Sequence, residues 1–127
     1  MARPPAKELT ERELEIMHVF WEHGKLTAAE VRDHLAGAGR DLAYTTVATP
    51  VRILVDKGFL KQTNRVRPFV YRPQRSFEEV ARRIVGDLVD RVFQGSSTAL
   101  VVQLMESERL SDGERKQLEQ VLREAKP

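Results

Sequence analysis

The sequence contains no cysteine. A disulfide framework, a thiolate zinc site and a cysteine nucleophile are therefore excluded. No apolar run reaches the roughly 20 residues that a membrane-spanning helix requires, and the first residues lack the apolar core of a secretory signal. These absences predict a cytoplasmic protein without membrane insertion, and 127 residues leave room for one compact domain or slightly more.

Motifs for catalysis are missing as well. The sequence has no glycine-rich phosphate loop and no hydrolase nucleophile elbow. The histidines His18, His23 and His34 are not spaced with carboxylates as in a known metal site. Acidic pairs such as Glu78 and Glu79 are typical of helix caps and solvated faces. We therefore expect no enzymatic activity, no cofactor and no bound metal.

Positive charge is concentrated in one segment. Between Arg40 and Arg75 the sequence has eight basic and two acidic residues, a local net charge of +6, whereas the whole chain carries +2. The rest of the chain therefore sums to −4. A basic block in an otherwise acidic chain is typical of a surface that binds phosphates, although an ordinary solvated surface is an alternative.

Helix starts are indicated by hydroxyl residues that are followed three positions later by Glu. This spacing is that of the capping box, in which each side chain accepts a hydrogen bond from the other residue's backbone N–H. The four candidates are Thr10, Thr27, Ser76 and Ser111. Together with apolar periodicity they predict helices over about 11–22, 28–36, 77–93, 98–105 and 112–125.

A further helix is predicted from Ala43, with an apolar side for packing and a polar side for recognition. After Gly58, the runs 59–63 and 68–72 predict two strands joined as a hairpin. Three helices and a two-stranded wing are the elements of a winged helix-turn-helix, whose third helix reads DNA. We predict a mainly α protein with this domain over 1–75, followed by a C-terminal helical dimerisation region over 76–127. A hairpin that binds another protein is the alternative.

Small hydroxyls and an arginine on the third helix can enter a major groove, while a basic hairpin holds the sugar–phosphate backbone of double-stranded DNA. Pro50 predicts a kink in that helix. The predicted DNA-binding residues are Arg40, Tyr44, Thr45, Thr46, Thr49, Arg52, Lys57, Lys61, Arg65 and Arg67.

The sequence resembles the penicillinase repressors, a family that includes methicillin-resistance and copper-responsive repressors of bacteria. The resemblance covers nearly the whole chain and rests on motifs that include Leu9-Thr10-Glu11, Ala43-Tyr44-Thr45-Thr46-Val47, Lys57-Gly58 and Phe69-Val70-Tyr71. It implies a homodimeric repressor that binds a palindromic operator through its N-terminal winged helix and dimerises through C-terminal helices.

The C-terminal composition independently favours a homodimer. Three short helices there carry more apolar surface than they can bury alone, because units of this size are marginally stable. A monomer whose C-terminal helices fold back on the winged helix is the alternative. The predicted dimerisation residues are Phe77, Val80, Ile84, Leu88, Val92, Leu100, Leu104, Leu118, Val121 and Leu122.

The resemblance also implies how repression is relieved. Members that respond to β-lactams are cut at an Asn-Phe bond in the C-terminal region on a signal from a membrane metalloprotease, and this chain has Gln103-Leu104 at that place. We predict proteolytic inactivation, with a membrane sensor metalloprotease or its signalling pathway as a partner. A rival interpretation is a winged-helix dimer that docks on a protein through Phe69 and Tyr71.

Overall fold

The computed structural model describes residues 9–124. Within that range the chain forms six helices and one three-stranded sheet. The helices are α1 Glu11–His23, α2 Ala28–Gly37, α3 Tyr44–Asp56, α4 Phe77–Val92, α5 Ser97–Glu106 and α6 Asp112–Glu124, and the strands are β1 Leu26–Thr27, β2 Leu60–Gln62 and β3 Val70–Pro73. The predicted end of the last helix, at residue 125, lies outside the described residues.

The chain divides into two compact units between Arg83 and Ile84, inside α4. The first turns of α4 therefore belong to the first unit, whereas the sequence predicts a boundary between residues 75 and 76. None of the helices within residues 9–124 has both the length and the apolarity to cross a bilayer.

Local hydrogen bonding explains where the helices begin. Three predicted capping boxes form with both hydrogen bonds, namely Thr10–Glu13, Thr27–Glu30 and Ser111–Glu114. At Ser76 the hydroxyl accepts the Glu79 N–H at 3.1 Å, and the Glu79 carboxylate lies 2.8 Å from Arg75 Nη1 in an ion pair. Satisfying these N–H groups stabilises each helix end.

The core of the first unit lies where α1, α2 and α3 pack together. On α3 the buried residues Val47, Val51 and Leu54 recur at helical spacing, which leaves the opposite side of the helix to solvent. The helix continues through Pro50. Val80 joins this core and is 6% exposed, which corrects its predicted place on the dimerisation face.

The sheet has the order β1-β3-β2, and both pairings are antiparallel. The β2–β3 pair is the predicted hairpin, although its strands are shorter than the runs 59–63 and 68–72. Strand β1 is an addition, and it joins the connection between α1 and α2 to the wing through the pair Leu26 and Tyr71. Three helices with this wing confirm the predicted winged helix-turn-helix fold.

The second unit contains the rest of α4 with α5 and α6. Arg115 of α6 donates a hydrogen bond of 2.6 Å to the Met105 carbonyl of α5. Apolar side chains nevertheless remain exposed on each helix of this unit: Ile84, Val85, Leu88 and Val92 on α4, Val102 and Leu104 on α5, and Val121 and Leu122 on α6. These side chains are more exposed than hydrophobic residues at helical spacing usually are.

Candidate nucleic-acid interface

The solvent side of α3 carries most of the predicted base-reading residues. Helical spacing turns this side away from the buried Val47, Val51 and Leu54. Its N-cap, Ala43, has no side-chain acceptor, so the positive end of the helix dipole has no side-chain cap. The exposed residues here are Tyr44, Thr45, Thr46, Thr49 and Arg52.

The wing, which comprises β2, β3 and the loop between them, is organised by one side chain. Asn64 Nδ2 donates to the carbonyls of Val66 and Pro68 at 3.0 Å each, and Asn64 Oδ1 accepts the Val70 N–H at 2.8 Å. These three bonds satisfy backbone groups inside the loop. The flanking Arg65 and Arg67 are exposed, so the wing offers positive charge on an ordered loop.

Tyr71 shows that α3 and the wing form one surface. Burial raises the pKa of the Tyr71 hydroxyl and neighbouring Tyr44 raises it further, while Arg52 and Arg67 act to lower it. Electrostatic influence of this kind requires groups that lie close together. Arg52 of α3 and Arg67 of the wing therefore share one neighbourhood, which we call the α3–wing surface.

Lys61 lies elsewhere on the sheet. It pairs with Arg72 across the β2–β3 ladder, whereas Gln62 pairs with Tyr71. Because side chains alternate along a strand, Lys61 and Arg72 lie on the sheet face opposite Tyr71. The structure thus does not bring Lys61 to the α3–wing surface, and its backbone contact remains a prediction.

Arg40 is held by an ion pair. Its Nε and Nη2 lie 2.8 and 3.4 Å from the two carboxylate oxygens of Glu15. This guanidinium lowers the pKa of Glu15, and the carboxylate in turn raises the pKa of Arg40. Arg40 is exposed, so it can exchange this partner for a phosphate, and that contact also remains a prediction.

Lys57 is directed to α1 rather than to the α3–wing surface. Its Nζ lies 2.8 and 3.1 Å from the two carboxylate oxygens of Glu13, a residue only 3% exposed. Burial acts to raise the pKa of Glu13, but hydrogen bonds from Lys57 and the Thr10 N–H outweigh it, so the pKa lies below its ordinary value. The predicted contact between Lys57 and phosphate finds no support in this arrangement.

The lowered pKa of Glu13 predicts how acid affects stability. A carboxyl whose pKa is lower in the folded state contributes stability above its unfolded-state pKa, and this contribution is lost as pH falls through the folded-state pKa. Glu13→Gln should therefore flatten the decline in unfolding free energy between about pH 5 and pH 3, as measured by urea denaturation. The exposed control Glu22→Gln on the same helix should retain the decline; an unchanged profile in Glu13→Gln would contradict the prediction.

The three histidines lie along α1 and α2. His18 packs edge-on against Trp21 with ring centroids 5.3 Å apart, and His23 stacks on His34 at 3.8 Å. Within residues 9–124 no group of three or more His, Cys, Asp or Glu residues could hold a metal ion. The histidines therefore contribute contacts between side chains.

The sequence pattern that defines the penicillinase repressors matches residues 9–124. The chain belongs to the penicillinase repressor family. It is 28% identical over 119 residues to the penicillinase repressor of Bacillus licheniformis, covering 94% of this chain and 92% of that protein. It is 24% identical over 115 residues to the methicillin resistance regulatory protein MecI of Mammaliicoccus sciuri, covering 91% and 93%. These matches confirm the resemblance found in the sequence.

A solved structure matches the first part of this penicillinase repressor family member. The DNA-binding domain of the repressor BlaI superimposes with a TM-score of 0.50 at 29% identity, over 62% of this chain and 93% of that one. The shared fold is the winged helix described above.

Two residues that shape the α3–wing surface are absent from the sequence prediction. Asn64 has a sequence signal, because Asn at the start of a short hairpin loop commonly bonds to nearby backbone groups. Arg32 of α2 lies 5.9 Å from the ring centroid of Tyr44. It has no such signal, since the contact between α2 and the start of α3 exists only in the folded chain.

Proposed function

We propose that this member of the penicillinase repressor family is a homodimeric transcriptional repressor that binds a palindromic operator in double-stranded DNA. The observation that carries the proposal is the α3–wing surface, in which Arg52 and Arg67 lie beside Tyr71 on two adjacent elements. The B. licheniformis relative is a penicillinase repressor, and the matching BlaI structure is a DNA-binding domain. Both support the same function.

The surface suggests a division of labour on DNA. The exposed hydroxyls and Arg52 on α3 have the size and chemistry to contact base edges in the major groove. Arg65 and Arg67 on the ordered wing loop would bind the sugar–phosphate backbone, which fixes position without reading sequence. The rival protein-docking function is less well supported, because Tyr71 packs against the core of the first unit.

Two substitutions test this division. Arg52→Ala should weaken binding to the preferred duplex by about 1–3 kcal/mol and reduce discrimination against scrambled DNA. Arg65→Ala should weaken both duplexes equally and lower the slope of log affinity against log salt by about 1 for each site. Fluorescence anisotropy titrations at several salt concentrations would measure both effects, using a duplex selected from a random pool.

Equal losses on both duplexes from both variants would reject the division of labour. A wild-type protein with no salt-dependent affinity for any duplex would reject the repressor itself and favour the docking module.

The second unit supports the homodimeric part of the proposal. Ile84, Leu88 and Val92 recur every four residues on α4 and are exposed, and Leu104, Val121 and Leu122 are exposed on the neighbouring helices. A second copy of the chain would cover such a face, and two-fold symmetry would present two α3 helices to an inverted repeat. Leu100 and Leu118 are half-buried within the unit.

Phe77 has a different environment from the other predicted dimerisation residues. Its ring lies 5.3 Å from that of Trp21 in a T-shaped contact, within the first unit. The Trp21 indole N–H also donates to the Arg75 carbonyl at 3.0 Å. Phe77 therefore helps to fix the start of α4 to α1, and we leave it out of the proposed dimer face.

Relief by proteolysis has a structural requirement. Gln103 and Leu104 lie inside α5, and a protease binds its substrate as an extended strand rather than as a helix. Cleavage there would need local unfolding of α5. We propose that a membrane sensor metalloprotease or its pathway provides the signal, on the strength of the family membership and the position of this bond.

A further inference from the structure

The end of α3 is joined to the start of α1 by one carboxylate. Glu13 Oε1 accepts the Thr10 N–H at 2.8 Å as part of the capping box that begins α1. The same carboxylate binds Lys57 Nζ at 2.8 and 3.1 Å. Lys57 is the C-cap of α3, so this pair connects two helix ends across the first unit.

Lys57 stands where the chain leaves α3 for the wing. Its backbone N–H donates to the Ile53 carbonyl at 2.8 Å, and Gly58 follows in the left-handed conformation with φ of 86°. Phe59 is then buried immediately before β2. A shift of the Lys57 side chain would therefore be transmitted to both the end of α3 and the first strand of the wing.

The pair is well shielded from water. The Glu13 side chain is 4% exposed and the Lys57 side chain 27% exposed. Removing one member of such a pair leaves a buried charge without compensation, which is far more disruptive than removing both. Opposite outcomes are therefore expected from the single and double substitutions.

We infer that Lys57 is a positioning residue for DNA binding, held by Glu13 so that α3 and the wing keep one fixed orientation on α1, and that it does so without contacting phosphate. The inference rests on the proposed function. It also assigns a role in DNA affinity to Glu13, an acidic residue that would only repel the DNA backbone.

The salt dependence of DNA binding separates positioning from phosphate contact. A lysine that binds phosphate releases a counterion, so its loss lowers the slope of log affinity against log salt by about 0.9 for each contact. We expect Lys57→Met to lower affinity by about tenfold or more, the scale of a lost buried charge pair, with the slope unchanged. Arg65→Ala is the comparison variant in which the slope falls.

Glu13→Gln gives a second test in which the Lys57 charge remains. Positioning predicts a lower affinity for DNA, whereas a phosphate contact predicts unchanged or higher affinity because the ammonium is released toward the DNA. The double variant Glu13→Gln with Lys57→Met should recover at least about half of the affinity lost in Lys57→Met, on a logarithmic scale, because no unpaired buried charge remains. Glu22→Gln is the matched control on α1 and should bind as the wild type does.

Thermal unfolding without DNA must accompany these titrations, and each variant is assayed well below its own Tm so that unfolding does not lower the affinity. A reduced salt slope in Lys57→Met, or an undiminished affinity in Glu13→Gln, would overturn the inference while leaving the repressor function intact. A wild type that fails to bind any duplex would instead overturn the proposed function, and the inference with it.

Discussion

Replacing Leu88 by glutamate is expected to separate the dimer and to lower affinity for the full operator by about 10²–10⁴-fold. Leu88 is 40% exposed between Ile84 and Val92 on α4. A second copy that covers this face would have to bury the new carboxylate without a partner, which is strongly unfavourable. Each released protomer keeps one α3–wing surface, so the loss comes from independent binding to each half-site rather than from weaker contacts.

Sedimentation measurements and titrations on two duplexes would test this result. The variant should sediment as a monomer, bind a half-site as tightly as wild-type first units do, and lose affinity only for the full palindrome. Arg83→Gln makes the same change in net charge on another side of α4 and should remain dimeric. A Leu88→Glu protein that sediments and binds as the wild type does would reject α4 as the dimer contact.

The parts of the fold that sequence predicts well are those set by neighbouring residues. Thr10 and Glu13 are three positions apart, and their reciprocal hydrogen bonds depend on that spacing alone. The apolar repeat of Val47, Val51 and Leu54 likewise predicts which side of α3 is buried. For the same reason the solvent side of α3, and with it most base-facing candidates, follows from the sequence.

What the sequence leaves undetermined depends on pairs that are distant along the chain. Strand β1 is two residues long, and Thr27 within it already serves as the cap of α2, so no strand pattern is visible. The contact between Glu13 and Lys57 joins residues 44 positions apart. A lysine in a basic segment is therefore assigned to DNA when only the sequence is considered.

Val80 and Pro50 illustrate how packing overrides local patterns. Val80 shares the helical stripe of Ile84 and Leu88, yet it is buried in the first unit because the compact units divide within α4. Pro50 removes a hydrogen-bond donor from α3 and disfavours a helix interior. The helix nevertheless continues through it, since Val47 and Val51 on either side are anchored in the core.

Replacing Phe20 by alanine is expected to destabilise the first unit by about 3–5 kcal/mol, the usual result for a fully buried aromatic residue. Phe20 is completely buried on α1 and packs in the cluster that includes Val47 and Leu54 of α3. The substitution would leave a cavity beneath the recognition helix. Because small domains are stable by only about 5–15 kcal/mol, a sizeable fraction of molecules would unfold at moderate temperature.

Urea denaturation followed by circular dichroism would measure the loss, with Glu22→Ala as an exposed control on α1 that should stay within about 0.5 kcal/mol of wild type. DNA affinity adds a second criterion. Partial unfolding lowers apparent affinity for every duplex in proportion to the folded fraction, so Phe20→Ala should preserve the preference between duplexes that Arg52→Ala weakens. A destabilisation below about 1 kcal/mol would mean that the core closes over the cavity, and that the α1–α3 contact is not what holds the recognition helix in place.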